Sequence, residues 1–373
     1  MSRKHIPQLD GLRGFAVILV LLAHSTNPFT RLSLFTGWLD RYGSLGVQIF
    51  FVLSGFLITG ILLDTRGDPH YFSSFFARRG LRIYPLYYAV FAFVVLSGVV
   101  HQHGVQWWVY ALYLSNLFYE NMMQPAPLAP TWSLAVEEQF YLVWPFVVGF
   151  LPRRYLQRLC LAIIAFAFIL RLTGIFPLHN TLLQLDALAA GALLACRIDA
   201  LQSLRAPAIF LAFLMPFGMG FGGNLILNSM SQTVQVLSAA GLLLVLLDNR
   251  TFVSRLFGVP VLRYVGTISY GVYLLHSFVF DALLRTRFFS NATESGSYAK
   301  AILCLAMEWT LALAVASASY FLFESPFLRM KRFFNSGKRR TGERRRKAGA
   351  ETTSSEERAA FIGMVAEADE QRV

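Results

Sequence analysis

Arg13 and His24 stand eleven residues apart in the first apolar stretch of the chain. On an α-helix that separation is about three turns and about 16 Å of rise, so both side chains leave nearly the same face. Such a face can line one continuous passage, with Arg13 at its inner mouth and His24 in its outer half. Imidazole is the side chain best suited to proton transfer near neutral pH. Within a helix bundle it also serves as a buried hydrogen-bonding group, and this helix alone leaves both roles open.

Three other groups of residues could do chemistry. The segment Thr131-Trp132-Ser133-Leu134-Ala135-Val136-Glu137-Glu138 puts two carboxylates one to two turns below the outer surface. Adjacent residues on a helix point about 100° apart, so one of the pair can face a site while the other finds a partner elsewhere. Arg79 and Arg82, with Arg78 beside them, share a helical face, and guanidinium forks suit phosphate. As loop residues on the inner side they would equally serve as a positive-inside anchor. Asp186, His276, Trp132 and Ser133 complete the set as candidate substrate or cavity residues. For Asp186 and His276 a structural hydrogen-bonding role is the alternative. Ser54-Gly55 and Glu324-Ser325-Pro326 read as helix-packing and helix-ending features.

Phosphate-binding arginines inside and a base with carboxylates near the outside suit a donor held from the cytoplasm and an acceptor reached from the far side. The same arrangement suits a proton-coupled transporter of a polar solute or sugar, with His24, Glu137 and Asp186 as a relay. A non-catalytic membrane scaffold or sensor is a third class.

The elements that must position these residues are set by composition. Of 373 residues, 55% are hydrophobic and 14% charged, too apolar a mixture for a water-soluble fold of this length, whereas a bilayer solvates the outward faces. Spans are expected at about 11–28, 45–64, 84–100, 134–151, 157–176, 183–197, 207–222, 233–247, 264–284 and 299–323. The fold class is therefore all-α, a polytopic integral membrane bundle of about ten transmembrane helices. With the N-terminus inside, the inner loops carry twelve arginines and the outer loops four. That bias places both termini in the cytoplasm.

The long outer connection at 101–131 holds Trp107, Trp108, Tyr110, Tyr113 and Tyr119, then Pro125, Pro127 and Pro130. It reads as an outer interfacial helix followed by a proline-rich re-entry. Residues 1–330 form the membrane domain. Residues 331–373, rich in Arg, Lys, Glu and Ser, read as a basic, disordered cytoplasmic tail. The start of the chain reads as a retained first helix rather than a cleaved signal. Cys160, Cys196 and Cys304 lie in apolar runs with no paired spacing, so neither a disulfide nor a metal site is expected. The net charge of +12 sits mostly in short loops and the tail, which marks membrane orientation and not a nucleic-acid surface.

Taken together, several motifs in order resemble the membrane acyltransferase family 3, bacterial O-acyltransferases of cell-envelope and exported sugars. They are Leu9-Asp10-Gly11-Leu12-Arg13-Gly14 with His24 beyond it, and Gly46 to Phe56. Arg78-Arg79-Gly80-Leu81-Arg82-Ile83-Tyr84-Pro85 and Trp132-Ser133-Leu134 through Glu137 to Tyr141 come next. Asp186-Ala187-Leu188, Ser269-Tyr270 to His276, and Phe323-Glu324-Ser325-Pro326 close the series. The resemblance runs from about Ile6 to Phe327. It implies transfer of an acyl group, most often acetyl, from cytoplasmic acyl-CoA to a hydroxyl of a sugar, polysaccharide or glycolipid outside the inner (plasma) membrane.

It further implies that His24 is the essential histidine, Arg13 its paired arginine, Arg79 and Arg82 the donor-binding R-x-x-R pair, and Glu137 the glutamate of the W-S-L-x-x-E motif. Gln48 departs from the family pattern, where an acidic residue is frequent. Acyl-CoA is implied as donor substrate with no permanently bound cofactor. On this view Arg78, Arg79 and Arg82 hold the nucleotide, His24 takes the sugar hydroxyl proton directly or through an acyl-histidine, and Glu137 orients that imidazole or shuttles its proton.

Overall fold

A computed structural model describes residues 6–25, 36–97, 106–118, 126–197, 209–212, 225–248, 251–294 and 297–334. Regular structure among the described residues is entirely helical. Helix α1 (Pro7–His24) opens with proline in its first turn, where the missing N–H costs nothing. Helix α2 is Thr36–Thr65 and α3 is Tyr71–Leu96. After them come the short α4 (Trp107–Ala111), α5 (Thr131–Phe150), α6 (Arg153–Thr173), α7 (Thr181–Cys196) and α8 (Leu225–Leu246). The C-terminal part holds α9 (Phe252–Phe257), α10 (Pro260–Thr267), α11 (Ser269–Leu284), α12 (Arg287–Glu294), α13 (Tyr298–Ser319), a π-helical turn at Tyr320–Glu324, and α14 (Ser325–Met330).

Among the described residues five helices are long and apolar enough to cross a membrane. The count is six if the α10–α11 pair, bent by 73° around Ile268, is a single broken span. The bundle is that of a membrane protein. Segments expected to span at 11–28, 134–151 and 183–197 form helices (α1, α5 and α7) that do not reach this length and apolarity. The segment at 207–222 lies outside the described residues apart from 209–212, as do Tyr119, Pro125 and residues 335–373. Lys331–Phe334, expected in the tail, instead forms a 3-10 turn packed against α3.

The largest correction concerns α3. A span at 84–100 left Arg78, Arg79 and Arg82 in an inner loop, yet the helix begins at Tyr71 and carries all three inside it. Pro85 sits within that helix rather than at its start. Arg79 and Arg82 therefore stand eight and eleven residues into the helix, about 12 and 17 Å along its axis.

Helix α2 is the central pillar. Protein covers 78% of its apolar window, against 28% for α3 and 22% for α6, whose outer faces are left for lipid. It packs on α1, α5, α7 and α8. The α2–α7 crossing is a backbone contact made by glycines on both sides. A Cβ at Gly55 would stand 1.9 Å from the Leu188 carbonyl oxygen, and one at Gly191 1.9 Å from that of Val52. The small residues of Asp186-Ala187-Leu188-Ala189-Ala190-Gly191-Ala192 thus bring two helices together as close packing in a membrane requires. In the C-terminal half of α3, Tyr87 and Tyr88 tie α4 to it by donating to the carbonyls of Tyr110 and Ala111 at 2.8 and 3.0 Å. Trp107 and Trp108 remain exposed.

Gly191→Leu is expected to force α2 and α7 apart and to cost at least about 1–3 kcal/mol. Thermal unfolding of the purified protein in detergent measures it. An unchanged midpoint would mean that the two backbones are not in contact.

Candidate active site

A cavity of about 760 Å³, counted with its mouth, lies among α1, α2, α3, α5 and α11. Each wall is a helical stripe. Helix α5 contributes Ser133, Glu137 and Tyr141, four residues apart, and α3 contributes Arg79, Arg82 and Ile83. Helix α1 gives Arg13. Helix α2 gives Ser54 within an apolar stripe that includes Val47, Phe50 and Leu57. Ser269, Tyr270 and Tyr273 enter from the first two turns of α11. The cavity opens beside the 73° break between α10 and α11, so the break is what turns these residues inward.

Its polar groups are organised. The Tyr141 hydroxyl donates to Ser54 Oγ at 3.0 Å, and Ser54 donates to Glu137 Oε1 at 2.5 Å. The Arg79 guanidinium stands 4.9 Å over the Tyr141 ring, a cation–π placement that aims the fork into the cavity. Arg13 donates to Asp10 Oδ1 at 2.8 Å, one turn back on its own helix. Arg79 and Arg82 are the charged neighbours of Glu137. Glu138, by contrast, does not line the cavity and has Tyr84 of α3 among its electrostatic neighbours. The cation-rich wall and the carboxylate therefore share one cavity instead of lying at opposite ends of a passage, because α3 lifts the arginines two to three turns into the bundle.

His24 is not among the residues lining this cavity. It lies exposed at the C-terminal end of α1, its ring 5.1 Å from that of His276. His276 is wholly buried, and its ring lies 6.1 Å from the ring of the cavity residue Tyr273. His276 thus stands between His24 and the cavity residue Tyr273 in a run of ring contacts, and the cavity does not extend along α1 from Arg13 to His24 as the single passage was expected to. Glu137, which the resemblance implies orients that imidazole or shuttles its proton, accepts from Ser54 in the cavity.

Both histidines place Nδ1 against carbonyl oxygens. For His24 the partner is Val20, at 3.0 Å; for His276 they are Tyr273 at 2.7 Å and Val272 at 3.1 Å. A carbonyl only accepts, so Nδ1 carries the proton and Nε2 the basic lone pair. Ser133, 2.5 Å from the Tyr273 hydroxyl, joins the cavity to this histidine pair through Tyr273, which itself donates to the Pro130 carbonyl at 2.9 Å.

The remaining candidates fall elsewhere. Asp186 is buried in an ion pair with Arg171 Nη2 at 2.7 Å, and the Ala187 N–H donates to it at 2.9 Å. Arg171 also donates to the Leu183 carbonyl and Thr233 Oγ1, at 2.8 and 2.9 Å, so one guanidinium ties α6, α7 and α8 together. Asp186 is thus a packing group away from the cavity, and Arg171 is its unforeseen partner. Gln48 donates to Gln184 Oε1 at 2.9 Å, as Gln232 does at 3.0 Å; this is a neutral amide cluster behind the α2–α7 seam. Trp132 packs edge-on against His179 and Phe51. Arg78 does not line the cavity. Tyr141, Tyr270 and Tyr273 were not singled out beforehand. Ser54, set aside as a packing residue, turns to the cavity while its neighbour Gly55 makes the contact with α7. The recurrence of polar residues every three or four positions on α5 and α11 was the available signal.

Comparison with known proteins agrees with this architecture. A family model described as an acyltransferase domain matches residues 6–323. The peptidoglycan O-acetyltransferase OatA of Listeria monocytogenes is 28% identical over 74% of this chain and 49% of its own length. The O-acetyltransferase OatA of Staphylococcus aureus is 34% identical over 42% of this chain and 27% of its own. The chain spans about half the length of the Listeria relative. No solved structure matches it. This chain belongs to the acyltransferase 3 family.

Removing one member of the buried Arg171–Asp186 pair strands the other. Arg171→Leu is expected to destabilise the protein by about 3–5 kcal/mol, and Arg171→Leu/Asp186→Leu to regain most of that loss. Thermal unfolding in detergent compares them. Equal losses in both variants would detach Asp186 from this role.

Proposed function

We propose that the chain is a membrane O-acetyltransferase that moves an acetyl group from cytoplasmic acyl-CoA to a hydroxyl of an extracytoplasmic polysaccharide. The names of its relatives favour peptidoglycan as the acceptor class. On this reading it crosses the plasma membrane about ten times with both termini in the cytoplasm, residues 1–330 forming the catalytic domain. The observation that carries the proposal is the convergence of Arg13, Arg79 and Arg82 on one cavity with Glu137 inside an apolar bundle. Arg13 is met by Asp10, and Glu137 lies near Arg79 and Arg82. The Arg79 and Arg82 forks that face the cavity suit phosphate oxygens, which meet guanidinium with charge-assisted hydrogen bonds.

The nucleotide end of the donor would bind at these arginines, and its thiol arm would extend through the cavity toward Ser133 and Tyr273. His24, with Nε2 basic, would take the proton of the acceptor hydroxyl as its oxygen attacks the thioester carbonyl. The carbon–sulfur bond then breaks, and the thiolate leaves with the proton returned by the imidazolium. Ser133, Tyr273 and His276 stand between the two substrates and would have to shift for the acceptor oxygen to reach the thioester carbon. Trp132 is an edge-on aromatic wall for a sugar. Glu137, held by Ser54, would fix the arginines by its charge.

His24→Ala is expected to lower acetyl transfer by about 100-fold or more while the protein inserts at wild-type level. Mass spectrometry of cell-wall and secreted glycans from cells with and without each form reads it. Undiminished acetylation by His24→Ala, or sugar uptake into vesicles lacking acyl-CoA with no acetylated glycan, would overturn the assignment.

A further inference from the structure

We infer that Trp309 of α13 is a positioning residue for His24: through Ser25, its indole N–H holds the last turn of α1 and so sets where the imidazole stands. The inference rests on the reading of His24 as the base that takes the acceptor proton.

An imidazole that has to meet a substrate is not fixed by burial. His24 is exposed, and it is the last residue of α1, at the end where a helix frays. Base catalysis tolerates little displacement, since a shift of about 1 Å can cost about 100-fold in rate. The backbone beside the imidazole therefore has to be held, and Ser25 holds it. Ser25 is buried, and its N–H and hydroxyl both donate to the Leu21 carbonyl, at 2.8 and 2.6 Å. These two bonds close the end of the helix, where the last carbonyls lack the partners that the helix interior provides.

The Ser25 hydroxyl oxygen is itself held from another helix. Trp309, near the middle of α13, donates to it from Nε1–H at 2.8 Å. An indole N–H only donates, and the serine proton is already given to Leu21, so the direction of each bond is fixed. Adjacent residues on a helix point about 100° apart. Ser25 can thus grip α13 while His24 turns to α11, where its ring stands 5.1 Å from that of His276. Helix α13 packs along α11. The three helices form a closed frame, joined by the histidine rings, by the α11–α13 packing and by Trp309. Within it the His24 ring is set against the Val20 carbonyl, with Nδ1 at 3.0 Å. Loss of the indole N–H frees the last turn of α1 to rotate and carries the ring away from this position.

The test compares Trp309→Phe, which removes the N–H and keeps an aromatic ring, with Ser25→Ala, Ser25→Thr and His24→Ala in the full chain. Cells making each form at equal level are given a pulse of labelled acetate, and mass spectrometry reads the rate of label entry into cell-wall and secreted glycans. Acetyl-CoA affinity and unfolding temperature are measured in detergent. Trp309→Phe is expected to lower the transfer rate about tenfold, with acetyl-CoA affinity and unfolding temperature unchanged. Ser25→Ala is expected to match it, and to add less than about threefold in the Trp309→Phe background. Ser25→Thr, which keeps the hydroxyl, is expected to stay within about twofold of the wild-type rate. If His24→Ala loses transfer but Trp309→Phe keeps the wild-type rate, or loses donor affinity or thermal stability along with it, this inference fails while the role of His24 stands. If His24→Ala keeps full transfer, or the wild-type chain acetylates no glycan, both fail. Should Trp309→Phe not fold, the Ser25 variants decide, and equal rates for Ser25→Ala and Ser25→Thr overturn the inference.

Discussion

A guanidinium or carboxylate inside a bilayer persists only where protein groups or enclosed water replace its lost hydration. This chain gathers Arg13, Arg79, Arg82 and Glu137 on one cavity inside an apolar helix bundle, and much of the architecture answers that demand. Five helices turn a polar stripe toward one cavity and leave apolar residues for lipid. Helix α11 begins with a sharp bend, and the last helix takes up a π turn, each where a polar residue has to face inward. The ion pair of Arg171 and Asp186 obeys the same rule with the opposite result. Its charges meet each other, and the guanidinium also donates to the Leu183 carbonyl and the Thr233 hydroxyl, so the pair ties three helices together away from the cavity.

The close α2–α7 contact makes the cavity possible. Because the two backbones touch at Gly55 and Gly191, the opposite side of α2 is free to present Ser54 to α5 and α3. The histidine pair at the C-terminal end of α1 is joined to this space through Tyr273 and Ser133 and not by an open channel. On the proposed reading, transfer between a donor in the cavity and an acceptor at His24 requires movement of these side chains. Both histidines set Nδ1 against backbone carbonyls of their own helices.

Much of this was legible in the sequence because polar residues are rare in apolar helices and their spacing survives folding. The face shared by Arg13 and His24, the divergence of Glu137 and Glu138, and the close approach allowed by Asp186 to Ala192 all derive from helical geometry. Arg79 and Arg82 were misplaced because a hydropathy window reads an arginine-rich stretch as loop and Pro85 as a helix start; only the cavity explains why the helix runs through both. Depth along the membrane normal was the weakest inference, since it depends on where a helix begins. The bend at Ile268 and the π turn at Tyr320 were illegible, because tertiary contacts set them and the local apolar pattern does not.

The central claim is that the cavity arginines bind the phosphates of an acyl-CoA donor. Calorimetric titration of the full chain in detergent with acetyl-CoA, repeated at rising salt, tests it most directly. The expected result is saturable binding that weakens with salt, persists in His24→Ala and is lost in Arg79→Gln/Arg82→Gln. Binding of undiminished strength in that double variant, or no binding by the wild-type chain, would contradict it.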